Sequence, residues 1–215
     1  RVREGSSGGG TVGPASTNYY LLARPEVSRD GRLVAFTGRR ICTGSQACAG
    51  VNVFQTSVLG LPGKAETSFE GAGRLSGNGR YLFLYSSGSL SALPPTVVDL
   101  EQGQTTTGPN QGSIDAGGTG RVVADDGTAV FTTIRQELFV MRAGRVEHLL
   151  SAWGDAGSQL AAIDNPVLDS GSQVILYEAR PRNTAQRMIR IYRLGEQRDS
   201  AFIQGNGDTY SPLIS

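Results

Sequence analysis

The chain has 215 residues and a formal net charge of +1, with 38% hydrophobic, 7% aromatic and 18% charged residues, 30 glycines and nine prolines. The hydrophobic share excludes a disordered chain, and the length suffices to bury a sizeable core in one or two domains. A charge this close to zero argues against a generic electrostatic affinity for nucleic acid or anionic membrane, and no run of 18 apolar residues reads as a membrane-spanning helix. The positive charge is almost entirely arginine, since Lys64 is the only lysine.

Residues 1–10 are polar and glycine-rich, with no apolar core segment of a signal peptide, and no starting Met precedes them. From residue 25 a motif begins that the chain repeats four times. It runs Val27-Ser-Arg-Asp-Gly-Arg-Leu-Val-Ala-Phe-Thr37, then Leu75-Ser-Gly-Asn-Gly-Arg-Tyr-Leu-Phe-Leu-Tyr85, Val123-Ala-Asp-Asp-Gly-Thr-Ala-Val-Phe-Thr-Thr133 and Leu168-Asp-Ser-Gly-Ser-Gln-Val-Ile-Leu-Tyr177. In each, a short apolar strand enters a polar turn and a more apolar strand leaves it. Asp-Gly and Asn-Gly supply the positive φ such a turn needs. Taking Gly31, Gly79, Gly127 and Gly171 as the turn glycines gives spacings of 48, 48 and 44 residues. A period in the forties with several short strands per unit predicts the blades of a β-propeller, because one blade buries both faces only by stacking on its neighbours.

The first unit predicts strands over 25–28, 33–37, 51–57 and 65–69. The second predicts 74–76, 81–85, 96–100 and 105–107, and the third 121–124, 129–133, 137–142 and 145–150. The fourth predicts 166–168, 173–178, 188–194 and 199–204. No window shows a helical period of useful length; residues 159–163 are too short and glycine-flanked. The expected fold is therefore all-β, a propeller of four-stranded antiparallel blades. Its near-complete repeats lie at about 25–70, 73–112, 120–152 and 166–204, and partial blade strands at 1–4 and 210–215. On this reading the chain is one propeller segment of a longer protein; closure of a small ring by the flanking pieces is the alternative.

The motif resembles the TolB-type, WD40-like propeller repeat. Pro25-Glu-Val-Ser-Arg-Asp-Gly-Arg-Leu-Val-Ala-Phe36 is similar to its start, and Tyr210-Ser-Pro-Leu-Ile-Ser215 to the opening of a further copy. The linker Gly205-Asn-Gly-Asp-Thr-Tyr210 resembles that of a secreted bacterial subgroup. The resemblance implies a fold and leaves activity open, because the family includes periplasmic cell-envelope scaffolds, propellers preceding serine-peptidase domains, and other secreted proteins. The first expectation is a noncatalytic extracellular or periplasmic bacterial protein that binds a protein or cell-envelope component. The alternative is the propeller of a larger hydrolase whose catalytic residues lie outside these 215 positions.

The residues offer little conventional chemistry. Gly5-Ser-Ser-Gly-Gly9 matches a nucleophile elbow by letter, but no apolar strand precedes it and no helix follows. His148, the only histidine, falls on a predicted outer strand. Cys42 and Cys48 together with His148 cannot assemble a conventional zinc site. Asp125, Asp126, Asp155, Asp164 and Asp169 lack the spacing of a calcium loop. Gly71-Ala-Gly73 and Gly118-Thr-Gly120 lead into strands and offer no helix N-terminus to a phosphate. No cofactor, metal or catalytic residue is expected. Cys42 and Cys48 could close a small loop, worth about 2–2.5 kcal/mol on the chain-entropy model and implying an oxidising compartment, or remain two thiols. The turn aspartates read as structural, because Asn78 replaces Asp in the second copy and Ser170 in the fourth, where Asp169 sits one place earlier. Six arginines crowd the fourth unit. Arg180, Arg182, Arg187, Arg190 and Arg193 are the candidate patch for an anionic partner, against the alternative of edge arginines that discourage strand pairing. The loops at 37–51, 86–95 and 178–187 are long enough to carry specificity.

Overall fold

A computed structural model describes residues 18–21, 25–41, 54–61, 66–86, 93–116, 120–153, 159–203 and 214. Every regular element among them is a strand, and the strands form four antiparallel sheets in chain order. The first blade holds β1 (Asn18–Leu21), β2 (Glu26–Val27), β3 (Leu33–Ile41), β4 (Phe54–Gly60) and β5 (Glu66–Glu70). The second holds β6 (Ala72–Leu75), β7 (Tyr81–Tyr85), β8 (Thr96–Asp99) and β9 (Gln104–Thr107). The third is β10 (Ile114–Asp115), β11 (Ala129–Thr133), β12 (Glu137–Arg142) and β13 (Arg145–Ser151). The fourth is β14 (Leu160–Leu168), β15 (Val174–Pro181), β16 (Met188–Arg193) and β17 (Arg198–Ile203).

The apolar runs of the second strands form because these strands are covered on both faces. On β7, Leu82 and Leu84 pack toward the first blade with Ala35, Val58, Leu75 and Val98, while Phe83 and Tyr85 join the core shared with the third and fourth blades. Phe83 stacks on Phe131 with ring centroids 5.7 Å apart, and Phe131 stacks on Phe139 at 5.5 Å, so one aromatic column crosses the interface between blades. Fully burying each such ring contributes about 1.5–3 kcal/mol. A polar link completes the first interface. Thr37 and Thr56 share a 2.8 Å hydroxyl bond, Thr37 accepts from the Gly73 amide, and Thr56 donates to the Gly71 carbonyl.

The second to fourth strands of each sheet lie within a few residues of the predicted spans. The inner strands differ. In the first blade both β1 and β2 pair with β3, β1 setting Leu21 opposite Gly38 and β2 setting Glu26 opposite Ala35. In the third, β10 lies upstream of the predicted 121–124 strand, which is reduced to one bridge between Val123 and Ala129. In the fourth, β14 begins at Leu160 and absorbs the glycine-flanked window at 159–163. It passes through an irregularity between Asp164 and Val167, where Asn165 has φ +48°. A bulge also accommodates Pro166, which has no amide to give to the ladder. Broken inner strands carry no run of alternation, which is why the motif alone did not reveal their full length.

The predicted partial strand at 1–4 lies outside the described residues, as does all but Ile214 of that at 210–215. Ile214 packs against Val167, Leu176 and Ile189 on the face of the fourth blade turned away from the third.

Candidate functional site

Each inner strand has two ends: the one that enters the repeated turn, and the opposite one, where the longer loops gather. The turn end is built from the motif. Ser28 donates to Asp30 at 2.6 Å, Asp30 accepts from the Arg32 amide at 3.0 Å, and Ser28 accepts from the Leu33 amide at 2.9 Å. Ser76, Asn78, Arg80 and Tyr81 repeat these three bonds at 2.7, 3.0 and 2.9 Å. An amide oxygen thus serves as well as a carboxylate. In the third copy Ala124 lacks the hydroxyl, and Asp126 keeps its bond to the Thr128 amide.

The fourth copy corrects the alignment read from the sequence. Its positive-φ residue is Ser172, at φ +57°, in the place of Gly31, Gly79 and Gly127. The Ser172 amide donates to the Asp169 carbonyl just as the Gly31 amide donates to Ser28. Gly171 therefore stands where Asp30 does, and Asp169 stands where Ser28 does. Asp169 accepts from the amides of both Gln173 and Val174 at 2.7 Å, so one carboxylate replaces the Ser–Asp pair.

The turns also hold one another. The Arg29 amide donates to the Gly77 carbonyl, the Asn78 amide to the Asp125 carboxylate at 2.7 Å, and the Ser172 hydroxyl to Asp126 at 2.7 Å. Arg29 pairs with Asp125 at 3.2 Å. The Ser28 hydroxyl, followed by the Arg32 amide, holds the Asp30 carboxyl below its ordinary range. At Asp126 burial works upward, but the bonds from Ser172 and Thr128 prevail and lower it.

Midway along the inner strands lies a second structural knot. Arg74, 7% exposed, donates from Nε to Glu26 at 2.5 Å, from Nη1 to the Ala116 carbonyl at 2.5 Å, and from Nη2 to the Gly120 carbonyl. The other oxygen of Glu26 accepts from the Leu75 amide. One guanidinium therefore ties the inner strands of the first two blades to the chain that enters the third.

The loop end is different. Glu178 is buried and accepts from Asn165 at 2.9 Å and from Arg187 at 2.8 Å. Burial raises the nearby Asp164 carboxyl above its ordinary value, although Arg187 and a bond from Gln136 act in the opposite direction. Outside this buried group, Arg182 donates from Nε to the Leu160 carbonyl at 3.1 Å and from Nη2 to the Ala152 carbonyl at 3.0 Å. Its guanidinium lies 5.3 Å over the ring of Trp153. Trp153 is 63% exposed, and Ile134, in the neighbouring β11–β12 turn, is 68% exposed. The turn and the platform are joined by the bond from the Ala152 amide to the Gln136 carbonyl.

Strand register divides the five candidate arginines. Arg190 pairs across from Tyr177, on the face toward the third blade, where it binds Asp199 through three bonds of 2.6–3.0 Å. Tyr177 donates to the same carboxylate at 2.8 Å, and burial, with Asp199 beside it, raises its hydroxyl far above the ordinary value. Arg180 and Arg193 lie opposite Ala162 and Val174, with Arg180 exposed and Arg193 half-buried. Arg187 is tied to Glu178, and Arg182 alone stands at the Trp153 platform. His148 is exposed on β13, its ring 5.2 Å from Phe139. Cys42 and Cys48 lie outside the described residues. So do most of the loop at 37–51, beyond the end of β3, and the centre of that at 86–95. Four of the ten residues of the loop predicted over 178–187 are strand, since β15 runs to Pro181.

Sequence reasoning missed Trp153 and Ile134 as surface residues. The signal available was a lone Trp among the small and polar residues of Ser151-Ala-Trp-Gly-Asp155, just past an outer strand. Among the described residues no group of three or more His, Cys, Asp or Glu is placed to hold a metal.

No family model and no curated protein matches the sequence. Solved structures do match. The TolB of Acinetobacter baumannii superposes with a TM-score of 0.52 at 16% identity, over 87% of this chain and 45% of its own. A protein of Agrobacterium tumefaciens assigned as TolB gives 0.53 at 12% identity, over 90% of this chain and 76% of its own. The propeller domain of the Trilobed protease from Pyrococcus furiosus gives 0.51 at 14% identity, over 86% and 64%. The chain thus spans less than half the length of the Acinetobacter protein. At such identities the likeness concerns the fold alone, and with the four stacked blades and their turns it is decisive: the chain has a TolB-like β-propeller fold.

Proposed function

We propose that this propeller is a noncatalytic scaffold of the bacterial periplasm or cell exterior that binds a protein or cell-envelope partner through its loop end. The observation that carries the reading is the exposed Trp153, set on a guanidinium that two backbone carbonyls hold in place. Large apolar groups at a surface cost solvation, and aromatic and arginine side chains concentrate binding energy at interfaces. The turn end supports the reading by contrast, because its polar groups serve one another. The resemblance to TolB-type repeats, a family that includes envelope scaffolds, supports the location.

The test is retention of envelope proteins on immobilised protein. Wild type is expected to retain a discrete partner that Arg135→Glu, an exposed change beside Ile134, retains at least several-fold less; equal retention by both contradicts the reading. The second reading, the propeller of a larger hydrolase, is favoured by the match to a protease's propeller domain. A peptidase domain with its own nucleophile encoded on the same chain would establish it.

A further inference from the structure

The exposed groups of the loop end over the third and fourth blades have a distinctive chemistry. Two large apolar side chains, Ile134 and Trp153, stand out of the surface at 68% and 63% exposure. Among the described residues the exposed charges beside them, Arg135 and Arg182, are both cationic. Three nearby carboxylates among the described residues are occupied. Glu137 accepts from the Thr133 hydroxyl at 2.9 Å, and Glu178 is buried against Asn165 and Arg187. Asp164 faces Arg187 at 3.9 Å. Among the described residues, Asp115 on the inner strand β10 is a further exposed carboxylate.

The platform is preorganised. Arg182 spends two N–H groups on the Leu160 and Ala152 carbonyls, which fixes its plane over Trp153 and leaves further N–H groups of the fork for another acceptor. A rigid aromatic face and a fixed guanidinium lose little conformational entropy when a ligand arrives. A ligand that fits must cover aliphatic as well as aromatic surface and must bring negative charge. A saccharide would satisfy the guanidinium and the indole but would set hydroxyls against Ile134, at a desolvation cost.

We propose that Ile134, Trp153, Arg135 and Arg182 form a docking platform for an extended acidic peptide segment with an apolar side chain between its carboxylates. The apolar side chain packs between Ile134 and the indole, and the flanking carboxylates pair with Arg182 and Arg135. This rests on the reading of the propeller as a binding scaffold and names the chemistry of its partner.

Trp153 is the only tryptophan, so its emission reports on the platform directly. The protein is titrated with a synthetic seven-residue peptide of glutamates around a central leucine and phenylalanine. The same peptide with lysines for glutamates and an oligogalacturonate serve as controls. The acidic peptide is expected to produce a saturable change in emission, weakened roughly tenfold by Arg135→Glu and by a rise in salt from 50 to about 300 mM. Ile134→Ala, which keeps the reporter, should weaken it severalfold. Trp153→Ala, followed by calorimetry, should abolish it while the protein unfolds with an unchanged midpoint. No saturable change, equal affinity for the lysine peptide, or saturation by the oligogalacturonate alone would each overturn the proposal. Retention of an envelope protein is a separate measurement, so a failed titration beside successful, Arg135-dependent retention removes the peptide assignment and leaves the scaffold reading standing.

Discussion

The two ends of the same four blades use polar groups in opposite ways. At the turn end serines, aspartates and Asn78 bind their own backbone and then the next turn, so that donors and acceptors are consumed in building the stack. At the loop end the half-buried Asp164 and the buried Glu178 both face Arg187, while a Trp–Arg pair and an isoleucine are held out to solvent. The turns are thus under the control of local folding, and the loops are freer to diverge. Function in a repeat fold is expected on the second kind of surface.

The largest effect should come from the knot between the ends. Arg74→Ala leaves Glu26 in a poorly solvated place without its partner and two carbonyls without a donor. Chemical denaturation is expected to show a loss of about 3–5 kcal/mol. Trp153→Ala, at the loop end, should stay within about 0.5 kcal/mol, as exposed substitutions do. Comparable losses from the two would erase the distinction drawn between the interior and the loop end.

Two glycines separate crowding by packed atoms from crowding by flexible ones. A Cβ at Gly73 would lie 2.7 Å from Cγ2 and Oγ1 of the buried Thr56, and Gly73→Ala is expected to cost about 1–3 kcal/mol. A Cβ at Gly77 would meet the guanidinium ends of Arg121 and Arg29, which can swing away, and would lie 3.0 Å from the Asp125 carboxylate. Gly77→Ala should cost clearly less in the same denaturation experiment. In the fourth turn, Asp169→Ala removes the acceptor for two amides and is expected to cost about 1–2 kcal/mol, by analogy with loss of a cap.

The ends should also respond to acid with opposite sign. Asp30, Asp99 and Asp126 all lie at the turn end with carboxyls held below the ordinary value of 3.8. Bonds from Ser28, Arg80 and Ser172 respectively favour the charged forms. Their stabilisation is present above pH 3.8 and is lost as pH falls through their lowered values. Asp164 is raised by burial, so its folded form binds a proton that the unfolded chain releases. Stability from this group is full below pH 3.8 and declines as pH rises through its folded value. Asp99→Asn should therefore flatten the acid limb of a stability–pH curve, and Asp164→Asn should remove a decline lying above it.

The blades were legible because their determinants are local. A turn that needs Gly or Asn next to a strand covered on both faces leaves a mark in any window that contains it. Two things were hidden. The fourth turn kept its geometry while moving the positive φ to Ser172, so matching by the letter Gly displaced the alignment by one residue. The arginines of the fourth unit looked like one patch because proximity in sequence says nothing about face. Alternation along β15 and β16 sends Arg190 toward the third blade and Arg180 and Arg193 away from it. The Trp153 platform joins residues about 20 to 50 positions apart, from the β11–β12 turn, the end of β13 and the end of β15, and no single window holds them.

The central claim, that the turn end builds and the loop end binds, is tested most directly by placing a photo-crosslinking amino acid in turn at Ile134 and at Arg32. These exposed positions mark the two ends, and each variant would be irradiated in envelope extract. Crosslinked adducts from position 134, competed away by the acidic peptide, with none from position 32, is the result expected here. Adducts from position 32 alone, or equal and uncompeted adducts from both, would contradict it.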